Sequence, residues 1–228
     1  MAKIQLSALL SGLSGKHSGG VFTKSTSSLN LRRKVRPHQS ASNNSTRVKS
    51  RLSYVQSLWA TLTGAQVIRW NDLGKKVKGS NVFGDKFGFA GISLFQRLNN
   101  NLVACGAAAI LDAPTLVDVA LWTSFSATAA HGGAVSIIFA PSPVPGATAV
   151  EISATPAIAV GRKVTHGDFR IITILAAAQT TPLVATSNYN GIFGAVGNAG
   201  QVIYFRAKYI NLTTGQSGLP VQCSATIS

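Results

Sequence analysis

Residues 44–74, NSTRVKSRLSYVQSLWATLTGAQVIRWNDLG, read as two consecutive helices and divide the chain into chemically different halves. Val48, Leu52, Val55, Trp59 and Leu62 follow one another at steps of four, three, four and three, which makes one apolar stripe of an amphipathic helix. Thr63 and Gln66 then fit the Ser/Thr-x-x-Glu/Gln capping box, in which each side chain satisfies an orphan amide where a new helix starts. Val67 and Trp70 continue the apolar face, and Gly74 is expected to end the helix.

Charge divides at the same place. Residues 1–100 hold 16 Lys and Arg against Asp72 and Asp85, so 16 − 2 = +14; residues 101–228 hold five against four carboxylates, so 5 − 4 = +1. Residues 1–53 carry ten cations and no carboxylate. Such a run repels itself and seeks polyanions or an acidic protein surface, although a solvated, solubilising arm has the same composition.

At 228 residues and 46% hydrophobic content, the chain can form one domain with a substantial extension. The reading is α+β: residues 1–43 a basic arm with a β-hairpin, residues 44–112 a helical segment with an aromatic loop, and residues 113–228 an antiparallel β-sandwich of immunoglobulin or fibronectin type. In the arm, residues 19–23 and 29–36 are expected to pair through a turn at 24–28, with Pro37 stopping the second strand. Strand alternation puts Arg32, Lys34 and Arg36 on one side and Arg33 on the other. With Arg47, Lys49 and Arg51 of the first helix they form the candidate polyanion or partner contact. A charged edge strand that only prevents aggregation is the plainer explanation.

Lys75, Lys76 and Lys78 lead into a loop, residues 81–91, that carries Phe83, Phe87 and Phe89. Ile92, Phe95, Leu98 and Leu102 mark a third helix whose end Asn99 to Asn101 should weaken. Phe22, Trp59, Trp70, Phe83, Phe87 and Phe95 are the candidate core or assembly anchors. Three short helices make a core that needs the hairpin or a neighbour to complete it. From about Pro114 the period becomes two, with strands expected near 116–128, 133–140, 147–154, 157–164, 168–176, 201–211 and 219–227, and a helical turn within 185–193.

Catalytic signatures are absent: no Walker loop, Cys-x-x-Cys, His-Glu-x-x-His or Gly-x-Ser-x-Gly. The four histidines lack ligand spacing, and the carboxylates are far apart in sequence, so neither an enzyme nor a cofactor is expected. Cys105 and Cys223 read as ordinary thiols. No secretory leader is evident, and no run of 18 apolar residues implies a membrane span.

Gly19-Gly20-Val21-Phe22, the basic strand closed by Pro37, the pattern from Trp59 through Leu62, Thr63 and Gln66 to Trp70-Asn71, and Gly91-x-x-Leu94-Phe95-x-x-Leu98-Asn99 resemble small virion-associated structural proteins of tailed bacteriophages and prophages. The resemblance covers most of the chain, with a fibronectin-like end at residues 211–220. It implies a virion protein, made in the host cytoplasm, whose partners are its own copies and other virion proteins. A nucleic-acid-binding coat protein, its arm neutralising genome phosphates, is the alternative expectation. A carbohydrate-binding sandwich is a third, resting on Trp122, which is more readily explained as core.

Overall fold

The computed structural model describes residues 2–4, 15–17, 20–24, 29–33, 43–80 and 83–228. Helices and antiparallel sheets mix in it, in two compact units: residues 1–100 with 109–114, and residues 101–108 with 115–228.

In the first unit β1 (Ala2–Ile4), β2 (Gly15–His17), β3 (Gly20–Lys24) and β4 (Leu29–Arg33) form one sheet in the order β1-β4-β3-β2. The expected hairpin is its centre, with Phe22 opposite Leu31 and Val21 opposite Arg32. Its turn at 25–28, and Gly19, Lys34, Arg36 and Pro37, lie outside the described residues.

Helices α1 (Asn43–Ala60) and α2 (Gly64–Lys76) bracket Thr63. The capping box forms as the sequence requires: the Gln66 amide donates to Thr63 Oγ1 at 3.4 Å, and the Thr63 amide donates to Gln66 Oε1 at 2.9 Å. Helix α2 does not end at Gly74, as expected, but runs on to Lys76. Gly74 is buried, and a Cβ there would run into the Phe89 carbonyl oxygen. The missing side chain serves close approach rather than termination: the Phe89 amide donates to the Gly74 carbonyl at 2.8 Å.

The expected aromatic loop contains a short ribbon, β5 (Lys78–Ser80) against β6 (Lys86–Gly88). Helix α3 (Gly91–Ala104) follows. The helix runs through Asn99 to Asn101 rather than weakening there, and Asn99 ties it to the chain that returns at Ile110. Fully buried, it donates through Nδ2 to the carbonyls of Phe95 and Ile110, both at 3.1 Å, and accepts the Ile110 amide at 2.7 Å. Trp70 Nε1 donates to the Leu111 carbonyl at 2.8 Å, and Gln66 Nε2 to Asp112 Oδ1 at 3.2 Å. Residues 110–112 are thereby tied to both α2 and α3.

The second unit holds β7 (Ser124–Ala129), β8 (Val135–Ala140), β9 (Thr148–Ala154), β10 (Arg170–Leu175), β11 (Leu183–Val184), α4 (Thr186–Phe193), β12 (Val202–Asn211) and β13 (Val221–Thr226). They make a four-stranded sheet, β10-β9-β12-β13, and a three-stranded one, β11-β8-β7, both antiparallel. One buried cluster draws on both, with Val135, Ile137 and Phe139 from β8, Val150 and Ile152 from β9, and Ile203, Phe205, Ala207 and Tyr209 from β12. Alternation is clear in β12, whose odd-numbered residues from Ile203 to Tyr209 are all buried.

Two expectations shrink. The strand expected at 116–128 begins only at Ser124, and that expected at 157–164 is reduced to a single bridge, Ile158 with Val202. The β12–β13 turn is built on side chains: Asn211 Oδ1 accepts from the Thr213 and Thr214 amides at 2.8 and 3.0 Å, and Gly215 takes φ 74°. Asn101 Nδ2 donates to the Gly215 carbonyl at 2.8 Å.

A candidate assembly face on the first helix

The sequence lets α1 form easily, because its apolar residues recur at helical spacing with polar residues between them. The stripe is covered over only part of its length. Val55 is fully buried and Trp59 and Leu62 are half-buried, whereas Val48 is 54% and Leu52 37% exposed. Tyr54, 50% exposed, adds a third large side chain to the open surface of this helix. Arg47 and Lys49 are exposed beside the stripe and Arg51 is half-buried. Val48 and Leu52, four residues apart, make an apolar strip about one turn long, set among cations, while Tyr54 faces another side of the helix.

The covered end of the stripe meets an aromatic centre. Phe95 lies between two tryptophans, edge to face, its ring centroid 5.2 Å from Trp59 and 5.1 Å from Trp70. Three residues singled out in the sequence, from three different helices, are thus brought together. Phe87 and Phe89 form a separate pair 5.4 Å apart. Phe83 is 43% exposed, and Phe22, in the arm sheet, is half-buried.

Of the cations singled out, Arg32 is exposed on β4, and Arg33 closes that strand. Lys34 and Arg36 lie outside the described residues. Gly91 packs against Trp70-Asn71. A Cβ on Gly91 would run into the Asn71 side chain and lie 2.8 Å from its amide nitrogen, so α3 starts against α2 only where there is no side chain.

Two carboxylates of the second unit have structural partners. Glu151 bridges Lys208 at 3.0 Å, and Asp168 accepts from both the amide and the hydroxyl of Thr165, at 2.7 and 2.9 Å, which lowers its pKa. Cys105 and Cys223 are half-buried, and burial pushes the Cys223 thiol up to about 11. Among the described residues, no group of three His, Cys, Asp or Glu is placed to hold a metal ion, and no helix is long and apolar enough to cross a membrane. Trp122 is half-buried, stacked on Tyr209 with centroids 4.0 Å apart and flanked by Phe125 and Phe139.

The close-approach roles of Gly74 and Gly91 and the buried hydrogen bonds of Asn99 depend on contacts between elements and leave no local signal. No protein family, curated protein or solved structure matches the chain.

Proposed function

We propose that the chain is a non-enzymatic structural protein of a tailed-phage particle, assembling with its own copies and other virion proteins. Its arm and helices are the anchoring part, and the β-rich unit is the inter-subunit or displayed module. The observation that carries this reading is the uncovered strip on α1. An amphipathic helix that buries Val55 but leaves Val48 and Leu52 in water has apolar surface for a second chain to cover. The motif resemblance supports the same conclusion, and so does a carboxylate-free arm, whose charge seeks an acidic surface or a polyanion. The strand order β11-β8-β7 and β10-β9-β12-β13 supports reading the β-rich unit as a fibronectin-like sandwich, because first, second and fifth strands oppose fourth, third, sixth and seventh.

Light scattering coupled to size exclusion tests the reading. The intact chain should self-associate at micromolar concentration, and Leu52→Glu should shift it to monomer without lowering its unfolding midpoint. A monomeric intact chain, or a variant that associates equally well, would reject it. The alternative, a coat protein contacting genome phosphates through Arg32, Arg33, Lys34, Arg36, Arg47, Lys49 and Arg51, is favoured by the exposure of Arg32, Arg47 and Lys49. It requires binding that weakens steeply with salt.

A further inference from the structure

A second dense positive surface lies where α2 passes into the β5–β6 ribbon, apart from the cations considered above. Lys75, Lys76, Lys78 and Lys86 are all exposed. In the ribbon Lys78 pairs with Gly88 and Ser80 with Lys86, so these four residues share one side, while Gly79 and Phe87 share the other. Lys78 and Lys86 therefore sit on a diagonal, roughly 7–8 Å apart at the backbone. The same side meets the last turn of α2: a Cβ on Gly88 would lie 3.1 Å from Lys75 Cα. Lys75 and Lys76 thus extend the cationic surface from ribbon to helix.

The opposite side of the ribbon is closed. Phe87 and Phe89 lie over Gly79, where a Cβ would come within 3.0 and 3.1 Å of their ring tips, and the Arg97 guanidinium sits 5.6 Å from the Phe89 centroid. The ribbon is consequently backed by aromatic rings, and on its other side the lysines stand around the last turn of α2, which packs over Gly88. Two carboxylates stand nearby in sequence. Asp72 bridges Lys75 at 3.1 Å, and Asp85 adjoins Lys86. Lys75 and Lys76 also complement the negative end of the α2 dipole, but that role needs neither Lys78 nor Lys86.

We propose that this face binds the phosphate backbone of a nucleic acid duplex. Lysines act as point charges and grip phosphates without reading bases. The lysines are exposed around the last turn of α2, so a phosphate chain can meet their ammonium ends without approaching the ribbon backbone. A duplex carries one negative charge per about 1.7 Å of its axis, a denser and more regular field than the scattered carboxylates of a protein surface, and so suits several point charges spaced along one face.

Fluorescence anisotropy of a labelled duplex of about 20 base pairs, titrated with the full chain at several salt concentrations, tests the proposal. The comparison is with Lys76→Gln/Lys78→Gln/Lys86→Gln, which leaves Lys75 on its bridge to Asp72. Three lost contacts at about 0.9 each should flatten the slope of log affinity on log salt by about 2.7. Between about 50 and about 200 mM salt, the unaltered chain should then lose about forty-fold more affinity than the variant. Changing the ribbon alone, Lys78→Gln/Lys86→Gln, should give about two thirds of that flattening. Because the lysines are exposed, the unfolding midpoint should fall by no more than the small dipole contribution of Lys76, and should be unchanged in Lys78→Gln/Lys86→Gln, while Arg162→Gln/Lys163→Gln in the second unit should leave the slope unchanged. Failure of the unaltered chain to bind at about 50 mM salt, or an unchanged slope in the triple variant, would overturn the proposal. So would binding of poly-glutamate as tight as the duplex and weakened equally by the substitutions, since the face would then take acidic protein.

Discussion

Asn99 is the residue on which the helical unit most plainly depends. Its amide gives two hydrogen bonds and takes one, all inside the protein, and joins α3 to the returning segment at Ile110. Asn99→Ala leaves the Ile110 amide without that partner and should cost about 1–3 kcal/mol, read as a lower urea midpoint with an unchanged slope. Asn99→Asp keeps the acceptor but sets a carboxylate against two carbonyls, so its deficit should narrow as pH falls and the acid protonates. Ionisation also acts from the alkaline side. Burial raises Tyr189 from 10.0 to about 12, Cys223 from 9.0 to about 11, and Tyr209 as well. Folding holds these groups neutral, and unfolding returns them to their ordinary values. Their contribution is full below about pH 9 and is lost as pH rises through the folded values, so the urea midpoint should fall between about pH 9 and 12. Cys223→Ala should make that fall shallower between about pH 9 and 11, and an unchanged curve would exclude the thiol as a contributor.

At the scale of elements, what was legible in the sequence follows from how local each signal is. The capping box needs only residues 63–66, and the α1 stripe only its own periodicity. Both helices could therefore be read directly from the chain, as could the alternation of β12. Gly74 was misread because its function is set by Phe89, fifteen residues away, which approaches where a side chain would stand. The β5–β6 ribbon escaped notice since three residues a side are too few to show a period of two. Residues 157–164 alternate suitably yet have no ladder beyond Ile158, for alternation reports half-burial and cannot supply a neighbouring strand. The apolar stripe of α1 was visible in the sequence, but which part of it is covered was not. Gly74→Ala tests the close-approach reading. Better helix propensity alone would stabilise by about 1 kcal/mol, whereas the clash with Phe89 should reverse the sign and destabilise by about 1–3 kcal/mol in thermal or urea unfolding. A stabilised variant would restore glycine to the role of a simple helix breaker.

For the whole molecule, charge and core are allotted to different stretches of chain. The first hundred residues carry +14 of the +15, while the large buried cluster begins at Ala129 and is supported from Val119 onward. A cluster of that kind, with two antiparallel sheets to supply it, contains what a domain of some hundred residues needs to fold. Residues 115–228 produced alone should accordingly show β-type circular dichroism and one cooperative unfolding transition. The bond from Asn101 to Gly215 is lost in that piece, and its absence should lower stability by about 1 kcal/mol relative to a piece starting at residue 101. Residues 1–114 should behave differently. They keep the ties of Ile110, Leu111 and Asp112 to α2 and α3 but retain the open strip at Val48 and Leu52, so they should fold and self-associate as the concentration rises. Ending the same piece at residue 105 removes those ties, exposing Asn99 and Trp70 Nε1 without their partners, and should lower its midpoint sharply. If residues 115–228 instead aggregate or melt without cooperativity, the β-rich unit depends on the charged half for its fold, and the separation of anchoring from display fails with it.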